Sequence, residues 1–126
     1  MPINDQQLLE AISAISSIES IAMDADDLAD DIMLVAYVWP TPDEFKSAIA
    51  NTCRALSQIA SRQVSGTALE GRYRTWFSYH YQHKREKGAK ADMRINFQRR
   101  ANDVVIKGFG HRYIPVDIYA RLNKTR

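Results

Sequence analysis

Apolar residues recur every three or four positions through the N-terminal half of the chain, which is the spacing of amphipathic helices. The first stripe predicts a helix over residues 5–23, and Asn4 and Gln7 form a capping-box pattern at its start. The residues of this stripe are Leu8, Ile12, Ile15, Ile18 and Ala22. We therefore expect the chain to begin with a long helix that packs through one face.

Two further helices are predicted on the same grounds. Asp24 is placed as the N-cap of a second helix, and Pro40 and Pro42 end it. Thr41 then precedes Pro42 at the first helical position, and Glu44 completes a capping-box pattern for a third helix that continues to about residue 61. The N-terminal half is therefore predicted to consist of three helices.

Residues 67–88 combine aromatic and cationic side chains more closely than the rest of the chain. Thr67 and Glu70 repeat the capping-box pattern, and a glycine follows a basic last turn, which favours a helix. An alternating pattern favours a strand instead, because β-branched and aromatic residues are enriched in strands. The alternating residues are Tyr73, Thr75, Phe77, Tyr79 and Tyr81. The helix is the preferred prediction, and the strand stays open.

Alternation of apolar and polar residues is clearer near the C-terminus. It predicts a half-buried strand over residues 93–98 and a second strand over residues 104–113, together forming a hairpin. Pro115 is placed at the start of a short final helix. The predicted fold is one domain, residues 1–126, of class α+β and mostly α. N-terminal helices, a basic helix and a C-terminal β-hairpin follow one another in the order of a winged helix-turn-helix.

Charge is distributed unevenly along this predicted fold. Residues 1–45 contain ten acidic residues and no Lys or Arg, whereas residues 46–126 contain 17 basic and five acidic residues, a net charge of +12. Such an asymmetry points to a polyanionic partner. We expect residues 1–40 to form an acidic helical scaffold that offers a homodimer interface. Residues 41–126 are expected to form the nucleic-acid-binding part.

Cations spread over one face suit phosphate contacts, since each neutralised phosphate releases counterions. The predicted nucleic-acid contacts are Arg72, Arg74, Lys84, Arg85, Lys87, Lys90, Arg94, Arg99, Arg100, Lys107 and Arg112. If residues 67–88 form a helix, it would enter the major groove of duplex DNA. If they form a strand, exposed aromatic and basic side chains would bind single-stranded nucleic acid. We expect a small intracellular nucleic-acid-binding protein, with regulatory DNA binding favoured and no enzymatic activity.

The acidic face of the second predicted helix supports an alternative class of function. Its four carboxylates are Asp26, Asp27, Asp30 and Asp31. They would engage a basic surface, and the protein would then be a protein-interaction adaptor or inhibitor. Their spacing differs from that of a calcium-binding loop, which needs oxygen ligands at fixed positions and a central glycine.

Several classes of function lack the residues they require. The single cysteine, Cys53, cannot form an internal disulfide, and the longest apolar run has eight residues, too short for a membrane span. His80, His83 and His111 lack the neighbouring Cys or acidic residues of a zinc pattern. No catalytic set stands out. We therefore expect a cytoplasmic protein without metal, cofactor or membrane partner.

Overall fold

Three helices form the N-terminal half of the chain. In the computed structural model, which describes residues 3–70, 74–83 and 91–126 (side chains of 123–125 excepted), they are α1 (Asp5–Ser16), α2 (Ala25–Val38) and α3 (Pro42–Ala60). The remaining elements are β1 (Ile21–Ala22), β2 (Thr67–Ala68), β3 (Phe77–Tyr81), β4 (Met93–Arg99), β5 (Val104–His111) and α4 (Ile118–Thr125). The α+β class is therefore confirmed.

Local capping interactions start the first two helices where they were predicted. Asn4 Oδ1 accepts from Gln7 N over 2.8 Å and Gln7 Oε1 accepts from Asn4 N over 2.9 Å, which completes the capping box of α1. Asp24 Oδ1 accepts from Asp27 N at the start of α2. Helix α3 begins at Pro42 as predicted, but the Thr41 side chain makes no capping hydrogen bond.

The first helix is shorter than predicted. It ends at Ser16, and Ser20 then adopts a left-handed backbone conformation with φ of 67°. The next two residues, Ile21 and Ala22, pair in parallel with Val104 and Val105 of β5. Backbone pairing with a distant strand therefore replaces the helix that the apolar spacing predicted to residue 23.

The strands form one mixed sheet in the order β1-β5-β4-β3-β2. The predicted hairpin is confirmed as β4 and β5, which pair antiparallel with a register shift at Asn96 and Phe97. Strand β5 ends at His111, two residues earlier than predicted, and α4 begins at Ile118 with Asp117 as its N-cap. This sheet is larger than the wing of a winged helix, so that arrangement is not confirmed.

The preferred helix over residues 67–88 is wrong, and the strand interpretation is correct for residues 77–81. Strand β3 pairs with β4 along its length, and Ser78 also pairs with Thr67 of β2. The Phe77 ring stacks on Phe97 with centroids 5.9 Å apart. Pairing on both edges and cross-strand aromatic contacts outweigh the local helix signals. Residues 71–73 and 84–88 of the predicted helix lie outside the described residues.

Helices cover both faces of the sheet. Side chains of α1, α2 and α3 form one hydrophobic core with alternate residues of β4 and β5, among them Ile95, Phe97 and Phe109. Helix α4 lies over the opposite face, where the Tyr119 hydroxyl is 2.9 Å from Ser78 Oγ. A Cβ atom at Gly108 would lie 2.5 Å from Leu122 Cδ2. Gly108 therefore leaves room for the Leu122 side chain where α4 approaches β5.

Candidate nucleic-acid interface

Six of the eleven predicted nucleic-acid contacts lie among the described residues, where they are distributed over β4, β5 and the segments beside the strands. Five of the eleven lie outside the described residues: Arg72, Lys84, Arg85, Lys87 and Lys90. Of the other six, Arg94 and Arg99 lie on β4 five positions apart, so about 16 Å of strand separates them. Arg74 is exposed ahead of β3, whereas Lys107 and Arg112 lie on and after β5.

Two of these arginines stabilise the fold through backbone carbonyls. Arg94 is almost fully buried, and its Nη1 donates to Ala91 O over 2.6 Å. Arg99 donates from Nη1 to Ile59 O over 2.8 Å and from Nη2 to Val64 O over 2.6 Å. Burial, together with the nearby Arg62 guanidinium, lowers the pKa of Arg99. The Arg99 contacts join β4 to the C-terminal end of α3 and to the segment that follows it, whereas Arg94 bonds the backbone at the start of its own strand.

Three more of the predicted cations have partners within the chain. Arg100 makes a bidentate ion pair with Asp103, at 2.7 and 2.6 Å, which raises the pKa of the arginine and lowers that of the carboxyl. Lys107 Nζ donates to Arg126 O over 3.2 Å. The Arg112 guanidinium lies 4.6 Å from the ring centroid of Tyr113, which is itself exposed. Arg112 is thus presented beside an aromatic ring.

The four acidic residues predicted to share one face of α2 divide into two pairs. Asp31 has no exposed surface, and its carboxylate accepts from Arg121 Nη1 over 2.6 Å and from Arg126 over 2.9 Å. Asp27 pairs with Arg126, 3.1 Å from its Nε. Desolvation raises the pKa of Asp27, and Arg126 opposes that shift. Of the four, only Asp26 and Asp30 are exposed, so half of the predicted face is used inside the chain.

A groove of about 340 Å³ lies between α3 and β3. Asn51, Arg54 and Gln58 follow one another on α3 at i, i+3 and i+7, which places them on one helix face. The Tyr79 hydroxyl donates to Gln58 Oε1 across the groove over 3.2 Å. The lining residues are Asn51, Arg54, Ala55, Gln58, Tyr79, His80, Tyr81, Gln82 and Ala91. The groove therefore combines a guanidinium, several amides and aromatic rings.

One end of the groove is fixed by contacts to His83. Asn51 Nδ2 is 3.0 Å from His83 Nδ1, and the His83 backbone N–H donates to Asp92 Oδ1 over 2.8 Å. The Trp39 ring meets the His83 ring edge-on with centroids 4.5 Å apart. The side chains of this end are thus held by the C-terminus of α2, by α3 and by the start of β4.

A second buried contact fixes the floor of the groove. The Tyr81 hydroxyl is 2.8 Å from Thr52 Oγ1, and burial raises the pKa of Tyr81 far above its usual range. Thr52 in turn donates to Ala48 O of α3. Strand β3 and helix α3 are therefore joined by a dry polar contact directly beneath the groove.

His111 ends β5 in a defined protonation state. Its Nδ1 accepts from Tyr113 N over 3.0 Å and from Ile114 N over 3.1 Å, so this nitrogen carries no proton. Burial is the main cause that lowers the pKa of His111, while Asp92 opposes the shift. Within the described part of the chain, no group of three His, Cys, Asp or Glu side chains is placed to hold a metal ion.

Sequence reasoning missed the α3 side of the groove. The predicted nucleic-acid contacts include no residue of α3, so Asn51, Arg54 and Gln58 are absent from them. The signal that identifies them is the polar spacing i, i+3, i+7, on a face separate from the apolar stripe. These polar residues form one side of a groove only because β3 lies opposite them. A helix over residues 67–88, the preferred prediction, would not place a strand there.

Comparison with protein-family models, curated proteins and solved structures finds no match to this chain. None of the helices formed by the described residues has the length and hydrophobicity that a membrane span requires. The features of the chain that bear on its function are the geometry of the groove and the distribution of charge.

Proposed function

We propose that this protein binds single-stranded nucleic acid in the groove between α3 and β3. The observation that carries the proposal is the composition of the groove, in which Arg54 lines the same cavity as the Tyr79 ring and the amide of Gln58. Proteins that bind single strands combine a cation that follows the backbone with aromatic faces on which bases stack. Arg54 would contact a phosphate, and the Tyr79 ring would contact a base.

The charge next to the groove supports a polyanionic ligand. Gln82 and Ala91 both line the groove, and the sequence between them contains four Lys or Arg residues and one Glu. The predicted contacts in that segment are Lys84, Arg85, Lys87 and Lys90. The sequence that joins these two lining residues therefore carries a positive net charge, which favours a polyanionic ligand.

The form of nucleic acid follows from the strand assignment. Duplex DNA was the expected ligand because a basic helix over residues 67–88 would have entered the major groove. Residues 77–81 instead form an inner strand of the sheet, and a groove lined by rings and amides suits unpaired bases. Nucleic acid therefore stays the expected ligand, and the favoured form changes from duplex to single strand. A regulatory role, an intracellular location and the lack of enzymatic activity stay predictions.

A competition experiment tests the form of the ligand. A labelled single-stranded 12-mer of mixed sequence is titrated with the protein at low ionic strength, and binding is followed by fluorescence anisotropy. Unlabelled single-stranded RNA, single-stranded DNA and duplex DNA of the same length then compete. We expect a single strand to compete at least about tenfold better than duplex. No binding to the labelled strand, or stronger competition by the duplex, would overturn the proposal.

A further inference from the structure

Helix α2 carries an exposed stripe on the side away from the core. Asp26, Asp30, Met33 and Tyr37 are spaced i, i+4, i+7 and i+11, so they follow one line along the helix for about 16 Å. The core side of the same helix is formed by Leu28, Ile32 and Val35, all buried. We call these four exposed residues the α2 outer stripe.

The two apolar side chains of the α2 outer stripe are exposed to solvent over most of their surface. Met33 is 59% exposed and Tyr37 is 66% exposed, one turn apart on the same line. Single exposed apolar residues are normal on a protein surface, whereas neighbouring large ones at helical spacing are the pattern by which a helix packs against another helix. Methionine and tyrosine are also enriched in the buried centres of protein interfaces.

The acidic half of the stripe makes no ion pair within the described part of the chain. The guanidinium of Arg126 is directed to Asp27 and Asp31, which lie on the inner side of α2. Among the described residues no hydrogen bond or ion pair engages the carboxylates of Asp26 and Asp30, and both residues are exposed. Two like charges one turn apart repel each other, and a cationic partner would relieve that repulsion.

We propose that the α2 outer stripe is the docking surface for a helix of a partner protein. That helix carries two Lys or Arg side chains opposite Asp26 and Asp30 and two apolar side chains opposite Met33 and Tyr37. Complementary charge sets the direction in which the partner lies along α2, and the apolar pair supplies the buried contact. About three turns of partner helix are enough to cover the stripe.

Charge argues against nucleic acid, an anionic lipid surface or a second copy packed through α2 as the partner that covers this stripe. Nucleic acid and anionic lipid surfaces carry the same sign as the two carboxylates. A second copy packed through α2 about a two-fold axis would place Asp26 opposite Tyr37 and Asp30 opposite Met33. Neither carboxylate would then meet a cation, so the homodimer expected from the N-terminal helices is not the arrangement this stripe favours. The stripe lies on α2, apart from the groove, and does not depend on the nucleic-acid proposal.

A display selection tests the docking surface. A library of helical peptides of about four turns, randomised at positions i, i+4, i+7 and i+11, is selected on the folded full chain. Enriched peptides are measured against the wild type, Asp26→Lys/Asp30→Lys and Met33→Ser/Tyr37→Ser. Asp43→Lys, a charge reversal of an acid exposed on α3, is the matched control. Circular dichroism establishes that each variant is folded.

We expect the enriched peptides to carry basic residues at two adjacent randomised positions and apolar residues at the other two. Both double substitutions should weaken their binding at least about tenfold, while Asp43→Lys leaves it unchanged. Failure to enrich such peptides, or peptides that bind the double variants as tightly as the wild type, would overturn the proposal. A homodimer detected by sedimentation that the same substitutions dissociate would also overturn it, because the stripe would then contact a second copy.

Discussion

Arg121 on α4 donates from Nη1 to Oδ1 of Asp31 on α2 over 2.6 Å, joining two residues that are 90 positions apart in the chain. The same carboxylate accepts from the backbone N–H of Phe109 on β5 over 3.0 Å and from both terminal nitrogens of Arg126. A buried carboxylate needs several donors to offset the loss of water. Asp31 therefore fastens helices α2 and α4 to the same strand.

Removing the charge of Asp31 should destabilise the fold strongly. We expect Asp31→Asn to lower the free energy of unfolding by about 3–5 kcal/mol, because it breaks a buried ion pair and leaves two guanidinium groups without their acceptor. The exposed neighbour Asp30→Asn is the matched control, with an expected change within about 0.5 kcal/mol. Urea unfolding followed by circular dichroism measures both. Equal stability of the two variants would show that the buried cluster does not hold α4.

A side chain at position 108 should clash with side chains of α4 and lower the stability of the fold. A Cβ atom there would lie 2.5 Å from Leu122 Cδ2 and 2.6 Å from Arg126 Nη1, so Gly108→Ala must displace these two side chains. We expect a loss of about 1–3 kcal/mol, typical of an overpacked contact.

A double-mutant cycle separates the steric clash at Gly108 from a general weakening of β5. Leu122→Ala removes the atoms that the new methyl group meets, so the double variant should lose less stability than the sum of the single losses. If the two losses are strictly additive, the destabilisation by Gly108→Ala does not arise from the contact between α4 and β5.

Arg54 should contribute to nucleic-acid binding in a way that depends on salt. We expect Arg54→Ala to weaken binding of a single strand about tenfold, the effect of losing one charge-assisted contact of about 1.5 kcal/mol. The slope of log K against log salt should fall by about 0.7, since one phosphate contact is lost. Lys46→Ala, an exposed cation of the same helix, is the control. If both variants behave alike, Arg54 acts only through net charge.

His111 should make stability sensitive to acid. Its pKa is lowered in the folded state, mainly by burial, so folding favours the neutral ring that accepts two backbone N–H groups. The contribution to stability is therefore complete above the ordinary pKa of about 6.5 and is lost as the pH falls below that value.

A non-titrating acceptor isolates this effect. In His111→Asn the amide oxygen can accept the same hydrogen bonds without binding a proton. We expect the unfolding free energy of the wild type to fall more steeply between about pH 7 and pH 5 than that of the variant. Other histidines and carboxyls are present in both proteins and cancel in the comparison. Parallel pH profiles would contradict the assignment.

The parts of the fold that were predicted correctly depend on interactions within a few residues. The starts of α1 and α2 follow from Asn4 and Asp24, whose caps reach only three residues ahead. The alternation that predicts β4 is likewise visible in the sequence of the strand itself. These elements were predictable because their signals are local and agree with the tertiary structure.

The incorrect predictions depend on distant partners. Phe77 belongs to a strand because Phe97 and Ala68 lie beside it, a pairing that the capping-box pattern at Thr67 does not reveal. Asp31 was assigned to an exposed acidic face because its partners come from α4. Contacts over such separations leave no periodic signal in either segment.

The groove also depends on residues that are distant in sequence, so it could not be predicted from either segment alone. Arg54 lies on a helix whose apolar face was predicted correctly, and its polar face gains significance only from the strand opposite. A stripe of three polar residues on a helix is ordinarily a solvated surface. Its identification as a site required the position of β3, so the candidate nucleic-acid interface was less predictable than the fold.

Photocrosslinking tests the proposed location of the ligand most directly. A single-stranded oligonucleotide with 4-thiouridine at alternate positions is bound to the protein, irradiated, and the crosslinked peptides are identified by mass spectrometry. We predict crosslinks within residues 51–58 and 79–82, which form the two walls of the groove, and their loss in Arg54→Glu. Crosslinks confined to α2 or α4, with none in the groove, would contradict the assignment.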